Sequence, residues 1–125
     1  MKLSARSLRA AGALLMAIGT IIGAVSVHAL KPRLSTDHYE VLLTAVHYQF
    51  FHALGLLAIG VAAERITAPL LRAAGSLLLA GVLLFSVSLY LILAGAPSWV
   101  GALTPLGGLA LISGWLLAAW ALAKG

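Results

Sequence analysis

Four long apolar runs, residues 10–30, 41–63, 70–94 and 103–123, make up most of this 125-residue chain. A helix needs about 20 predominantly apolar residues to cross the hydrocarbon core of a bilayer. Only 9% of the residues are charged, whereas soluble domains average about 25%, so an ordinary soluble fold is excluded. The runs therefore predict an all-α, four-helix transmembrane bundle that forms a single membrane domain.

The basic residues lie in short groups at the ends of these runs, which argues against the continuous basic surface of a nucleic-acid-binding protein. Six lie on one side of the predicted membrane and two on the other: Lys2, Arg6, Arg9, Arg65, Arg72 and Lys124, against Lys31 and Arg33. Because cytoplasmic segments carry the excess of Lys and Arg, we predict that both termini are cytoplasmic. The lipid bilayer is the predicted partner, and nucleic acid is not.

The first run follows a basic start and contains Val27-His28-Ala29 ahead of Leu30, as a cleaved signal peptide would. The apolar stretch is longer than the 7–15 residues usual in such signals. We therefore expect the first span to be retained.

The second run carries the strongest functional signal, the sequence His47-Tyr48-Gln49-Phe50-Phe51-His52. Helical spacing places Thr44, Tyr48 and His52 on one face, with His47 and Gln49 on its shoulders. Polar groups at this depth are expected to face a bundle interior or a cavity. The opposite face, predicted to contact lipid, consists of Leu43, Val46, Phe50, Leu54, Leu57 and Val61.

Polar residues of the other runs fall in the same half of the membrane, and we expect one outward-opening pocket there. Its predicted members are His28, His47, Tyr48, Gln49, His52, Ser86, Tyr90 and Thr104. The alternative is that these groups only form hydrogen bonds that hold helices together, or, for the serines, bond to carbonyls of their own helix.

Small residues in the first and fourth runs predict close helix packing. Gly12, Gly19 and Gly23 form a line that includes a GxxxG pattern, and Gly107 and Gly114 form a second line. The first line packs inside the bundle or against a neighbouring protomer. Thr104-Pro105 predicts the start of the fourth helix, with threonine as N-cap and proline in the first turn.

The residues do not favour a metal, a cofactor or catalysis. His47 and His52 are five positions apart, about 140° around a helix, whereas paired metal ligands on a helix are usually three or four apart. Haem would need a porphyrin cavity that nothing in the sequence marks. Asp37, Glu40 and Glu64, the only acids, lie at span ends, so a serine–histidine pair would have no orienting carboxylate.

The sequence resembles the YgdD-like inner-membrane family, domain of unknown function 423, which is related to eukaryotic transmembrane protein 256. The blocks that carry the resemblance are residues 16–30, Tyr48-Gln49-Phe50-Phe51-His52-Ala53-Leu54, Phe85-Ser86-Val87-Ser88-Leu89-Tyr90 and Thr104-Pro105-Leu106-Gly107-Gly108. The resemblance implies a small four-helix protein of the bacterial inner membrane, with an uncleaved first span and no established activity. His28 matches the histidine of the family's first span.

We expect a non-enzymatic membrane protein that binds a small molecule or lipid headgroup. His52, Tyr48 and Gln49 are the predicted hydrogen-bonding residues, and His28 and Tyr90 are predicted to close the pocket. Two alternatives remain open: an accessory or scaffolding subunit, in a homo-oligomer or larger membrane complex, and a transporter or metal-handling protein.

Overall fold

The fold is an antiparallel bundle of four long helices, seen in a computed structural model that describes residues 2–66 and 69–125. The helices are α1 (Ala5–Leu30), α2 (Thr36–Arg65), α3 (Pro69–Leu93) and α4 (Leu103–Lys124), the last preceded by a short 3-10 helix, Ser98–Ala102. All four are long and apolar enough to cross a membrane, and the described residues contain no strand. The predicted all-α class with four spanning helices is confirmed.

Both chain ends lie at the same end of the bundle, which we call the terminal end. The Leu3 amide donates to Ser76 Oγ at 2.8 Å, and Gly125 lies beside Ile66 at the end of α2. Residues 31–35 and 94–97 lie at the opposite end, the loop end. The cytoplasmic location of the termini stays a prediction.

Capping extends α1 and α2 beyond their apolar runs. Ser4 Oγ accepts from the Ser7 amide at 3.0 Å, and Ser35 Oγ accepts from the His38 amide at 3.2 Å, so each helix starts about five residues early. The predicted N-cap at Thr104 is wrong. The helix already begins at Leu103, directly after the 3-10 helix, and the Thr104 hydroxyl bonds to Ser88 Oγ instead.

The helices pack as two close pairs, α1 with α2 and α3 with α4, joined by the contact of α2 with α3. The apolar core occupies the terminal half. Leu8 of α1, Leu56 of α2 and Leu71 and Leu78 of α3 are fully buried there. An ion pair between Arg9 and Glu64 ties α1 to α2 at the same end.

The predicted lipid face of α2 is half wrong, because this helix is buried on two sides. Val46 is only 4% exposed, while Phe50 and Leu57 pack against Gly19 and Gly12 of α1. Leu54 does lie on the surface. A face that packs on an apolar helix is as apolar as a face that contacts lipid, so the sequence cannot show which apolar side of α2 faces lipid.

Glycines set the closest approaches between helices. A Cβ built on Gly12 would lie 2.7 Å from the Ala53 carbonyl oxygen, and one on Gly107 would lie 2.5 Å from the Phe85 amide nitrogen. Gly114 lies equally close to Leu78. The Gly12 and Gly19 positions of the first glycine line therefore contact α2 of the same chain.

Candidate functional site

The stretch from His47 to His52 sends its side chains in three directions. His47 lies on the bundle surface beside Phe51, which is 64% exposed. Gln49, 3% exposed, points between α1 and α3, whereas Tyr48 and His52 point towards α4. Residues 48 and 49 diverge because neighbours on a helix are rotated by about 100°.

Gln49 links three helices through its amide. Its Nε2 donates to the Leu15 carbonyl oxygen of α1 at 2.8 Å, and its Oε1 accepts from the Tyr90 hydroxyl of α3 at 2.7 Å. The amide and the phenol thus satisfy each other inside a medium that offers no water. This arrangement is structural, and it uses the polar atoms of both side chains.

Ser86 and Ser88 also form contacts between helices. The Ser86 hydroxyl donates to the Ala45 carbonyl oxygen of α2 at 2.8 Å, and Ser88 Oγ lies 2.6 Å from Thr104 Oγ1 of α4. Both serines are almost completely buried although they face different helices. The π-helical turn Leu83–Val87 lies here, and such turns are frequent at functional sites.

His52 differs from these groups because one of its ring nitrogens has no partner. Nδ1 lies 2.6 Å from the Tyr48 carbonyl oxygen, and a carbonyl can only accept, so Nδ1 carries the proton. In the neutral ring Nε2 is then an acceptor. No hydrogen bond joins Nε2 to any residue in the described part of the chain. Because no fully buried side-chain nitrogen or oxygen lacks a partner there, Nε2 keeps some accessible surface although His52 as a whole is largely buried.

His52 borders a hollow of about 310 Å³ between α2, α3 and α4, which we call the recess. Aromatic rings form most of its wall. Tyr48 stacks on Phe85 with ring centres 4.3 Å apart, and Trp115 lies 6.1 Å from the His52 ring. Gly55 allows Trp115 to approach, since a Cβ there would lie 2.7 Å from the indole. The recess thus combines flat apolar surfaces with the polar groups of His52 and Tyr48.

A second hollow of about 490 Å³ lies towards the loop end, and we call it the vestibule. Asp37, Glu40, Thr44 and Thr104 border it, and Phe85 borders both the vestibule and the recess. The stacked Tyr48–Phe85 pair therefore lies between an acidic opening and the His52 nitrogen.

The predicted residues do not form one pocket. Tyr48 and His52 border the recess, and Thr104 borders the vestibule. Tyr90 borders a separate groove between α1 and α3, and His28 is exposed in the π-helical turn Ser26–Leu30. Because α2 stands between the recess and that groove, polar residues on its two sides cannot converge.

The sequence did not identify Phe85 and Trp115 as residues that border the recess, nor Asp37 and Glu40 as residues that border the neighbouring vestibule. One signal was present: Glu40, Thr44, Tyr48 and His52 recur every four residues, which marks a single polar stripe on a helix. The aromatic walls come from other helices, so no spacing within one segment reveals them. Among residues 2–66 and 69–125 no group of three or more His, Asp or Glu residues could hold a metal ion.

Comparison with known proteins identifies relatives but no activity. Residues 22–108 match the family described as "Protein of unknown function (DUF423)". The chain is 44% identical over 103 residues to the UPF0382 membrane protein SH2409 of Staphylococcus haemolyticus, and the aligned region covers 82% of each chain. It is 38% identical over 104 residues to the UPF0382 membrane protein YwdK of Bacillus subtilis, covering 82% of this chain and 83% of the relative. No solved structure matches.

Proposed function

We propose that this chain, which belongs to the DUF423 family of membrane proteins of unknown function, binds a small amphipathic molecule in the recess without altering it chemically. The observation that carries this proposal is the His52 Nε2 acceptor without a partner. His52 lies roughly 24 Å from the start of α2 and roughly 20 Å from its end, near mid-membrane. An unpaired polar atom at that depth costs several kcal/mol, so a ligand that donates a hydrogen bond there is stabilised.

The walls of the recess indicate the chemistry of this molecule. A donor for Nε2 is a hydroxyl, an amine or an amide N–H. The rings of Tyr48, Phe85 and Trp115 favour a flat, apolar body, because aromatic surfaces stack in offset or tilted arrangements. Asp37 and Glu40 border the vestibule and disfavour an anion. We therefore expect a neutral or cationic ring compound with one donor group.

Binding without catalysis is supported by the composition of the recess. The residues that border it include no carboxylate, and no hydrogen bond joins the side chains of its two titratable members, His52 and Tyr48. General acid–base or covalent catalysis requires such groups within hydrogen-bond reach of one another.

The proposal is tested with 4-bromophenol, a ring with a hydroxyl donor that quenches tryptophan fluorescence, and with bromobenzene, which lacks the donor. The chain has three tryptophans, and Trp99→Phe with Trp120→Phe leaves Trp115 as the reporter. In nanodiscs we expect saturable quenching by 4-bromophenol and a weaker, non-saturable effect of bromobenzene.

His52→Leu is the decisive variant and His47→Leu its matched control on the same helix. His52→Leu removes the acceptor but breaks only a hydrogen bond within α2, so the fold is expected to persist. We expect it to abolish saturation, and His47→Leu to leave it intact. Equal saturation in all three proteins would contradict the proposal.

An accessory or scaffolding subunit is the second candidate. It is favoured by the hydrogen bonds of Gln49, Ser86, Ser88, Tyr90 and Thr104, which are all made to protein groups and join different helices. In that case a complex would co-purify equally with the wild type and with His52→Leu. Dependence of a bound small molecule on His52 would favour the first proposal.

A further inference from the structure

An apolar groove of about 390 Å³ opens at the loop end on the side of α2 opposite the recess. Ile21 and Val25 of α1 form one wall and Leu93 of α3 the other, with Leu34 at the loop and Leu42 and Tyr90 at the base. This groove shares no bordering residue with the recess or the vestibule, so its ligand is independent of the proposed function.

The groove exists because α1 moves away from α2 towards the loop end. A Cβ built on Gly12 would come within 2.7 Å of α2, one on Gly19 within 3.1 Å and one on Gly23 only within 3.8 Å. At the terminal end Leu8 instead packs closely on Gly75 of α3. The helices are thus in tight contact at one end and separated at the other.

The surface inside the groove is almost entirely hydrocarbon. The one polar group at its base, the Tyr90 hydroxyl, already donates to Gln49 Oε1. A polar molecule would therefore lose its hydrogen bonds on entry without replacement. An acyl chain has no hydrogen bonds to lose. It also gives the apolar lining van der Waals contacts that the lining otherwise lacks.

Two basic residues lie in the turn at the mouth of the groove. Lys31 and Arg33 lie in the turn whose neighbours Leu30 and Leu34 line it. The Lys31 ammonium lies 5.7 Å from the centre of the Tyr39 ring, one helical turn before Leu42. Neither Lys31 nor Arg33 forms an ion pair within the described ranges, and the acids Asp37 and Glu40 border the vestibule instead.

We infer that the groove holds one acyl chain of an anionic phospholipid, whose phosphate lies beside Lys31 and Arg33. The acyl chain enters between α1 and α3, and the headgroup stays at the level of the turn that contains Lys31 and Arg33. Unpaired basic groups at headgroup depth select an anionic lipid over a zwitterionic one. Phosphatidylglycerol is the probe that represents this class.

The test uses nanodiscs with equal amounts of phosphatidylglycerol and phosphatidylcholine that carry identical acyl chains. After gentle extraction, native mass spectrometry counts the lipids retained by the full chain. We expect one retained phosphatidylglycerol, with roughly tenfold preference over phosphatidylcholine. The double variant Lys31→Gln/Arg33→Gln is expected to lose the preference.

Variants that fill the groove distinguish a lipid bound inside it from lipids that only surround the protein. Val25→Trp places an indole in the groove, whereas Val27→Trp, at an exposed position on α1 outside the lining, is the matched control. Ile21→Trp fills the same groove from the preceding turn if Val25→Trp does not fold. We expect the groove variant to retain no lipid and Val27→Trp to behave as wild type. Equal retention of the two lipids by the wild type, equal retention by both tryptophan variants, or a stable dimer without lipid would overturn the inference.

Discussion

Gln49 links α1, α2 and α3 near the middle of the bundle. At the terminal end large apolar side chains fill the interior, but near Gln49 the contacts between these helices include hydrogen bonds to the Leu15 carbonyl and the Tyr90 hydroxyl. Hydrogen bonds between membrane helices contribute about 0.6–2 kcal/mol each. We therefore expect this single amide to contribute measurably to the stability of the contact between the three helices.

Gln49→Leu is expected to lower the free energy of unfolding by about 1–3 kcal/mol, because both inter-helix bonds are lost while the volume is retained. Tyr90→Phe removes only one of them and should cost about half as much. Reversible unfolding in mixed micelles measures both, and the double variant Gln49→Leu/Tyr90→Phe should be no less stable than Gln49→Leu. A Gln49→Leu protein as stable as the wild type would show that the linkage is unimportant.

Helical spacing grouped Tyr48 with His52, and their rings lie 5.7 Å apart. Spacing could not show that Gln49 and Tyr90 belong to the other side of α2, because both neighbours of this helix are apolar. The position of His28 was equally inaccessible. A histidine at a span end reaches either the interior or the surface, and here it is exposed.

At the scale of the helices, α4 depends on small residues to approach α3. Gly107 lies against the backbone of Phe85, so no side chain can yield to make room. The adjacent Gly108 faces open space, since a Cβ there would lie 4.0 Å from the nearest atom, Phe85 Cδ2. Two neighbouring glycines thus have opposite packing roles.

Gly107→Ala is expected to destabilise the protein by about 1–3 kcal/mol through overpacking. Gly108→Ala should be neutral or slightly stabilising, because alanine has the higher helix propensity. Thermal unfolding in one detergent compares the pair directly. Similar unfolding temperatures for the two variants would contradict the close α3–α4 contact.

The start of α4 shows where local sequence signals failed. Thr104-Pro105 has the composition of a helix start, yet the Thr104 hydroxyl bonds to Ser88 of α3. The partner on another helix changes the role of the side chain, and a local pattern contains no information about it. By contrast, Ser4 and Ser35 cap their helices with local partners.

The apolar core fills the terminal half of the bundle, the recess lies near the middle, and the vestibule and the groove lie towards the loop end. Four apolar runs were sufficient to predict the number and class of the helices. They could not predict the two hollows on one side of α2 and the groove on the other, because those depend on how far neighbouring helices diverge.

The orientation of the molecule in the membrane is predicted from its six basic residues at the terminal end. The chain contains no cysteine, so single cysteines report cleanly in spheroplasts. A membrane-impermeant maleimide should label Ser98→Cys at the loop end without permeabilisation and Ala123→Cys only after it. The reverse pattern would show that the termini are outside.

The most direct test of the central claim is native mass spectrometry of the full chain extracted gently from the membrane in which it is produced. We expect the wild type and His47→Leu to carry the same small-molecule adduct, and His52→Leu to lack it while its phospholipid adducts are unchanged. An adduct retained by His52→Leu, or no small-molecule adduct on any of the three proteins, would contradict a ligand site at the His52 recess.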